Sequence, residues 1–268
     1  MKIMHRFSRQ NLSLAYTIEG AGPPLVIVHG AASSARSLLE CATALGERRQ
    51  VILPDLRGMG DSDRITSLQA TDWVDDLLAL LDHLGVDTVD LAGVSLGARI
   101  ATRFTLDHPE RVSSLIVDAP MVRASADGEE AVNRIFGPSR DEGMTTLLKL
   151  WHGSDWESLT ENYLRLRQDP DLQEYYDFSE SLERIALPVF VTRGDADDPI
   201  HPVSHAAEFH RRIERSALWI APHTHFSLAR FRPRQWANAV DQFICGLDLG
   251  SWAVSVCNSH EQIGALDV

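Results

Sequence analysis

Hydrophobic positions along the first two-thirds of the chain alternate between short continuous runs and longer stretches with helical spacing. The apolar runs at 25–28 and 51–53 are typical of strands that are buried on both faces of a sheet. Residues 71–84 place five large apolar side chains on one helical face, and Gly85 follows as a stop signal. These five are Trp73, Leu77, Leu80, Leu81 and Leu84.

The same alternation extends over most of the chain. Further strands are predicted at 14–18, 88–94, 112–117, 187–192 and 217–220, and further helices at 37–46, 95–106 and 233–244. Strands that alternate with helices favour an α/β fold, with a mostly parallel central sheet and helices on both faces.

One segment interrupts the pattern. Residues 121–185 contain few strand-like runs, many aromatic residues, and 14 acidic against 7 basic residues. We interpret this segment as a small, mainly helical lid inserted into a core formed by residues 1–120 and 186–245. The alternative is an ordinary helical layer whose aromatic residues fill its own interior. Residues 246–268 fit no element that the pattern predicts.

Composition narrows the classes of partner. The chain has 268 residues, which suits one large domain, and a formal net charge of −13. A surface this acidic disfavours nucleic acid and anionic membranes as partners. The N-terminus lacks a signal-peptide pattern, and no apolar stretch is long enough to cross a membrane, so we expect a cytoplasmic protein, with a homo-oligomer as an open alternative to a monomer.

Cofactor and metal motifs are absent from the sequence. The 3 cysteines are odd in number and lack CxxC spacing, which argues against a disulfide framework or a zinc site. No phosphate-binding glycine motif appears, so no cofactor is expected. His201 and His205 have the i, i+4 spacing of some metal ligands but no carboxylate companion, and we expect a solvated helix start there instead.

The strongest chemical signal is Gly93-Val94-Ser95-Leu96-Gly97, a G-x-S-x-G motif between a predicted strand and a predicted helix. In that context the serine lies on a sharp turn, and glycine on either side removes the steric clashes that the turn would cause. The following helix directs its N-terminal amides toward a developing anion. Ser95 is therefore the candidate nucleophile.

Three blocks together resemble the α/β-hydrolase superfamily, and more narrowly its lid-bearing esterase, lactonase and C–C hydrolase branch. They are residues 26–30 (VIVHG), 55–62 (DLRGMGDS) and 93–97 (GVSLG). The resemblance covers roughly residues 10–245 and implies a serine nucleophile, then an acid, then a histidine in chain order.

The predicted base and acid follow the last two strands. His225, in Thr224-His225-Phe226, matches the histidine loop of the family better than His223 does. For the acid, one family spacing selects Asp197 and another selects Asp198. We favour Asp198, because it keeps the downstream Asp-Pro-Ile-His-Pro turn intact. This aspartate would hold the histidine tautomer and stabilise the imidazolium.

The resemblance also implies an oxyanion hole formed by the backbone amides of Ala31 and Leu96. The expected function is hydrolysis of a carboxylic ester or lactone of a small molecule through an acyl-enzyme. C–C bond hydrolysis, thioester cleavage, acyl transfer and perhydrolysis are alternatives on the same residues, because a fold does not determine its chemistry. A non-catalytic ligand receptor is the alternative from a different class.

Overall fold

The computed structural model describes residues 3–248, in which eight strands form one sheet. The strands are Met4–Arg9 (β1), Leu12–Glu19 (β2), Pro24–Val28 (β3), Gln50–Pro54 (β4), Val89–Val94 (β5), Val112–Asp118 (β6), Val189–Gly194 (β7) and Ser216–Ala221 (β8). Their order across the sheet is β1-β2-β4-β3-β5-β6-β7-β8. β2 is antiparallel to both of its neighbours, and all pairs from β4 to β8 are parallel.

Ten α-helices connect or flank these strands in the described part of the chain. They are Leu39–Leu45 (α1), Asp72–Leu84 (α2), Leu96–Asp107 (α3), Ala126–Phe136 (α4), Glu142–His152 (α5), Trp156–Leu166 (α6), Pro170–Tyr175 (α7), Val203–Arg212 (α8), Leu228–Phe231 (α9) and Pro233–Asp248 (α10). Short 3-10 turns occur at Ala35–Leu38, Pro109–Arg111, Gly153–Asp155 and Leu182–Arg184.

The sheet separates two hydrophobic cores, because successive strand side chains point to opposite faces. In β3, Leu25 and Ile27 belong to the core built with α1 and α10, whereas Val26 and Val28 belong to the core built with α2, α3 and α8. All four side chains are fully buried. The predicted mostly parallel sheet with helices on both faces is confirmed.

Helices α4–α7 lie between β6 and β7, and we refer to them as the helical insertion. Asp141 caps α5 by accepting from the amide of Met144, and Asp169 caps α7 by accepting from the amides of Asp171 and Leu172. Such caps satisfy amides that the first turn of a helix leaves free. The insertion shares the core of α2 and α3 through Val132, Leu148, Tyr163 and other residues.

One strand of the sheet was not predicted. β1 carries exposed or half-buried residues at five of its six positions, so its sequence lacks an apolar run. Helix α8 begins two residues after His201 and contains His205, so the helix start expected at these histidines is present, but both residues are buried rather than solvated. Of the segment 246–268, residues 246–248 end α10 and the remainder lies outside the described residues. Within residues 3–248, no helix has both the length and the apolar character needed to cross a membrane.

Candidate active site

Ser95 lies on the sharp turn between β5 and α3, with φ 56° and ψ −114°. A positive φ is unfavourable for a residue with a side chain and indicates stored backbone strain. The flanking glycines allow the turn: a Cβ on Gly93 would lie 2.1 Å from the carbonyl oxygen of Gly97, and a Cβ on Gly97 would lie 2.1 Å from that of Val28. The two glycines of the motif therefore permit the sharp turn that their positions predicted.

The Ser95 hydroxyl forms a hydrogen bond with a histidine. Its Oγ lies 2.8 Å from Nε2 of His201, which is the residue directly before the proline that precedes α8. The His201 side chain is only 4% exposed, so it is not the solvated residue that the sequence suggested. The carbonyl of His201 accepts a hydrogen bond of 2.8 Å from Nε of the buried Arg193, which fixes the backbone of this loop.

Asp198 lies on the other side of the His201 ring. Its Oδ1 is 3.3 Å from Nδ1 of His201, and the same oxygen accepts hydrogen bonds from the amides of Ile200 and His201. Burial raises the pKa of this carboxyl, but the interactions with His201 and the two amides outweigh it and lower the pKa to about 2. An ionised Asp198 favours the tautomer with the proton on Nδ1, which leaves Nε2 free to accept from Ser95. Asp197 is exposed.

The structure does not bring His225, the predicted base, to Ser95. His225 is exposed, and its ring centre lies 4.7 Å from that of Phe231. His223, the second candidate, is also exposed. The partner of the Ser95 hydroxyl comes instead from the same loop as the acid. The prediction that His225 contacts Ser95 is therefore corrected: the histidine that contacts the Ser95 hydroxyl is His201.

Backbone contacts explain where the loop after β8 goes. Amides of the β7 loop donate to it, from Gly194 to the carbonyl of Phe226 and from Ala196 to that of Thr224. The chain runs so close that a Cβ on Gly194 would lie 1.8 Å from the carbonyl oxygen of His225. In this arrangement the ring of Phe226 stacks on the ring of His201, and the side chain of His225 is on the solvent side.

The two predicted oxyanion residues, Ala31 and Leu96, line the same pocket as Ser95. Within the described residues, neither amide donates to a protein acceptor. The loop after β3 turns at Ala32, which has a φ of 44°. Two amides without protein partners beside the serine are available for a substrate oxygen.

His152, the last residue of α5, ties this loop to the helical insertion. Its Nδ1 accepts from the amide of Gly60 at 3.0 Å, so its Nε2 carries the proton and donates to the carbonyl of Ala32 at 3.0 Å. Burial lowers the pKa of His152 to about 4, and the ring is therefore neutral at pH 7. No local motif indicates this contact, since the two residues are 120 positions apart.

A pocket opens beside Ser95 between helices α2 and α3, the loops that follow the strands, and the insertion. Its walls are mostly apolar and aromatic, with two arginines and one glutamine among them. Besides Ala31, Ser95 and Leu96, the lining residues are Trp73, Arg99, Met121, Val132, Tyr163, Arg167, Leu172, Gln173, Tyr176 and Ile200. In the part of the chain described, no cluster of three His, Cys, Asp or Glu side chains could hold a metal ion.

Comparisons with known proteins agree with this fold. A family model described as the alpha/beta hydrolase fold matches residues 23–149. A soluble epoxide hydrolase from Corynebacterium sp. (strain C12) is 33% identical over 42% of this chain and 40% of its own length. A 2-hydroxymuconate semialdehyde hydrolase from Pseudomonas sp. (strain CF600) is 36% identical over 37% of this chain and 36% of its own length. The matches thus span about two-fifths of these relatives.

Solved structures extend the likeness over nearly the whole chain. A meta-cleavage product hydrolase from Pseudomonas fluorescens IP01 superposes with a TM-score of 0.75 at 18% identity, covering 91% of this chain and 98% of the other. At this identity the superposition concerns the fold. Strand order, the serine turn after β5, the family model and the structural likeness agree, and the chain has the α/β-hydrolase fold.

Proposed function

We propose that this protein is a serine hydrolase that cleaves a small carboxylic ester or lactone through an acyl-enzyme intermediate. Ser95 is the nucleophile, His201 the base, and Asp198 the carboxylate that orients the base. The observation that carries the proposal is the 2.8 Å contact between Ser95 Oγ and His201 Nε2. A serine hydroxyl is almost wholly protonated at neutral pH and needs such a base to attack a carbonyl.

The reaction would proceed in two halves. In the first, Ser95 Oγ bonds to the carbonyl carbon while its proton passes to His201 Nε2, and the amides of Ala31 and Leu96 donate to the resulting oxyanion. His201 then gives the proton to the leaving alkoxide, and the C–O bond breaks. In the second half, water loses a proton to His201 and attacks the acyl-enzyme, and His201 returns that proton to Ser95 as the acid is released.

The helical insertion would act as the lid of this site. Val132, Tyr163, Arg167, Leu172 and Gln173 all come from α4–α7 or the turns between them, and all line the pocket beside Ser95. Apolar walls that exclude water strengthen the electrostatic interactions of the reacting groups. A narrow, mainly apolar pocket suits a small organic substrate rather than a polymer.

C–C bond hydrolysis is a second candidate, because one relative is named a 2-hydroxymuconate semialdehyde hydrolase and one structural neighbour a meta-cleavage product hydrolase. The same residues suit it, since a serine attacks a ketone carbonyl as it attacks an ester. Epoxide hydrolysis fits less well. Opening of an epoxide by Ser95 would leave an ether on the enzyme, and an ether has no carbonyl for water to attack.

Labelling with a fluorophosphonate, followed by peptide mapping, tests the nucleophile. The probe is expected to modify Ser95, and Ser95→Ala is expected to remain unlabelled and to lose turnover of p-nitrophenyl acetate while retaining the fold. A wild-type protein that neither reacts with the probe nor turns over any member of a panel of esters, lactones and vinylogous diketones would favour the ligand receptor. Turnover of the diketones alone would favour C–C hydrolysis.

A further inference from the structure

Arg99 is a buried cation in the pocket of Ser95. It lies one helical turn after the serine on α3, lines the same pocket, and is 8% exposed. Its Nε and Nη2 both donate to the carbonyl of Tyr176, at 3.3 and 2.8 Å. Burial lowers the pKa of this guanidinium, yet arginine stays charged at neutral pH.

No carboxylate among the described residues forms an ion pair with Arg99. A buried charge is normally paired, because its removal from water is costly when only a neutral carbonyl replaces the solvent. The other arginine of the pocket follows that rule: Arg167 forms a two-pronged pair with Glu129, with Nη2 at 2.7 Å from Oε1. Arg99 is thus the arginine of this pocket whose charge lacks such a counter-ion.

Two further hydrogen-bond donors beside Arg99 lack partners. The hydroxyl of Tyr176 and the indole Nε1 of Trp73 are buried and form no hydrogen bond in the described structure. The two rings are 6.2 Å apart, and the guanidinium carbon of Arg99 lies 5.7 Å from the centre of the Tyr176 ring. Buried donors without acceptors are uncommon in proteins, and both residues line the pocket.

We propose that this end of the pocket binds a carboxylate of the substrate, with Arg99 as its counter-ion and Tyr176 and Trp73 as additional donors. The inference rests on the proposed function: the substrate is an ester, lactone or ketone that carries a free carboxylate near the scissile carbonyl. A planar guanidinium matches a planar carboxylate, and such charge-assisted hydrogen bonds are among the strongest in proteins. Because the overall charge of −13 repels anions, binding of an anionic substrate requires a local cation such as Arg99.

The chemistry of the bound carboxylate does not change during the reaction. It holds one end of the substrate while Ser95 attacks the other, and it therefore contributes to affinity and to orientation. The acidic net charge of the insertion does not oppose carboxylate binding. Glu129 is already paired with Arg167, and the cation that would bind the carboxylate, Arg99, lies on α3 outside the insertion.

Binding to Ser95→Ala protein tests the proposal without any turnover. The probes are the monomethyl esters of succinate, glutarate and adipate, each compared by calorimetry with its dimethyl ester. At least one monomethyl ester is expected to bind roughly 10- to 100-fold more tightly than its neutral counterpart, the range that a charged hydrogen bond supports. In Ser95→Ala/Arg99→Met this preference is expected to disappear.

The matched control is Arg134→Met in the same background. Arg134 lies on α4, is 65% exposed in its side chain and contacts Glu130, so this variant removes one positive charge outside the pocket lining. It is expected to keep the preference for the monomethyl ester. Circular dichroism checks that each variant folds.

The binding results can contradict the carboxylate site without contradicting the proposed function. Equal binding of charged and neutral esters to Ser95→Ala protein would overturn the carboxylate site, even if Arg99→Met fails to fold. A preference that survives in folded Arg99→Met would overturn it as well. Neither result bears on Ser95 as nucleophile, which the fluorophosphonate experiment decides on its own.

Discussion

The imidazole of His201 lies flat against the ring of Phe226, with ring centres 4.6 Å apart and planes inclined by 10°. Phe226 follows β8, whereas His201 follows β7. Phe226, which directly follows the predicted base His225, thus packs against His201, the histidine that contacts Ser95. Two loops converge on the serine as expected: the loop after β7 carries both His201 and Asp198, and the loop after β8 packs Phe226 against His201.

Replacement of the two candidate histidines distinguishes their roles. His201→Ala is expected to lower kcat/KM for p-nitrophenyl acetate by roughly 10²- to 10⁴-fold, the usual contribution of a positioned general base. His225→Ala is expected to stay within about 3-fold of wild type, because its exposed ring makes no contact with the serine. Steady-state kinetics with both folded variants checks this, and the reverse order of effects would restore His225 as the base.

Phe226 is expected to act as a positioning residue. Phe226→Ala removes the ring that stacks on His201, and aromatic pairs of this kind contribute about 0.5–1.5 kcal/mol beyond their buried area. We expect a kcat reduced about 2- to 10-fold with little change in KM. Phe226→Tyr keeps the ring and is expected to retain kcat. A fall in stability with no change in kcat for the alanine variant would show a purely structural role.

The neighbouring aspartates form a matched pair for testing the acid. Asp198→Asn is expected to reduce kcat/KM by roughly 10²- to 10⁴-fold, because an amide no longer favours the required tautomer of His201 or stabilises its cation. Asp197→Asn removes the same charge one residue away, at an exposed position, and is expected to leave kcat/KM nearly unchanged. Comparable losses in both variants would point to a general effect of charge on this loop.

Acid is expected to destabilise the fold through two buried histidines. Burial lowers the pKa of both His29 and His152 to about 4, below the ordinary 6.5, so the unfolded chain binds more protons between these values. Their contribution to stability is complete above about pH 6.5 and is lost as the pH falls toward 4. Urea unfolding at pH 7, 5.5 and 4.5 checks this.

The matched variant for the acid prediction is His152→Gln, which keeps a donor and an acceptor but does not titrate. It is expected to show a smaller loss of unfolding free energy between pH 7 and pH 4.5 than wild type. An identical pH dependence in the two proteins would exclude His152 as a source of the acid sensitivity.

Much of the fold was accessible from the sequence because buried parallel strands need continuous apolar runs. The strands at 25–28 and 88–94 were predicted within one residue of β3 and β5, and the helix at 71–84 within one residue of α2. The exposed edge strand β1 has no such run and was missed. Ser95 could be selected as the candidate nucleophile because the steric demands of its turn leave a local signature in Gly93 and Gly97.

The histidine that contacts Ser95 could not be predicted in the same way. Chain order and local spacing favoured His225, but the direction of its side chain depends on how the loop packs against Gly194, a contact between residues distant in sequence. Likewise, the missing counter-ion of Arg99 is visible only when the surrounding residues are in place. Local motifs indicated the loops that form the candidate site, whereas tertiary packing determines which side chains of those loops point toward Ser95.

The bridge from His152 to Ala32 has a consequence for the diversification of this protein. The residue that supports the loop beside the serine belongs to the insertion, the part that also shapes the pocket walls. Evolution or engineering that exchanges the insertion for a different one therefore also removes a support of the loop beside Ser95. A chimera with a foreign insertion requires an equivalent imidazole at this position before its new specificity can be judged.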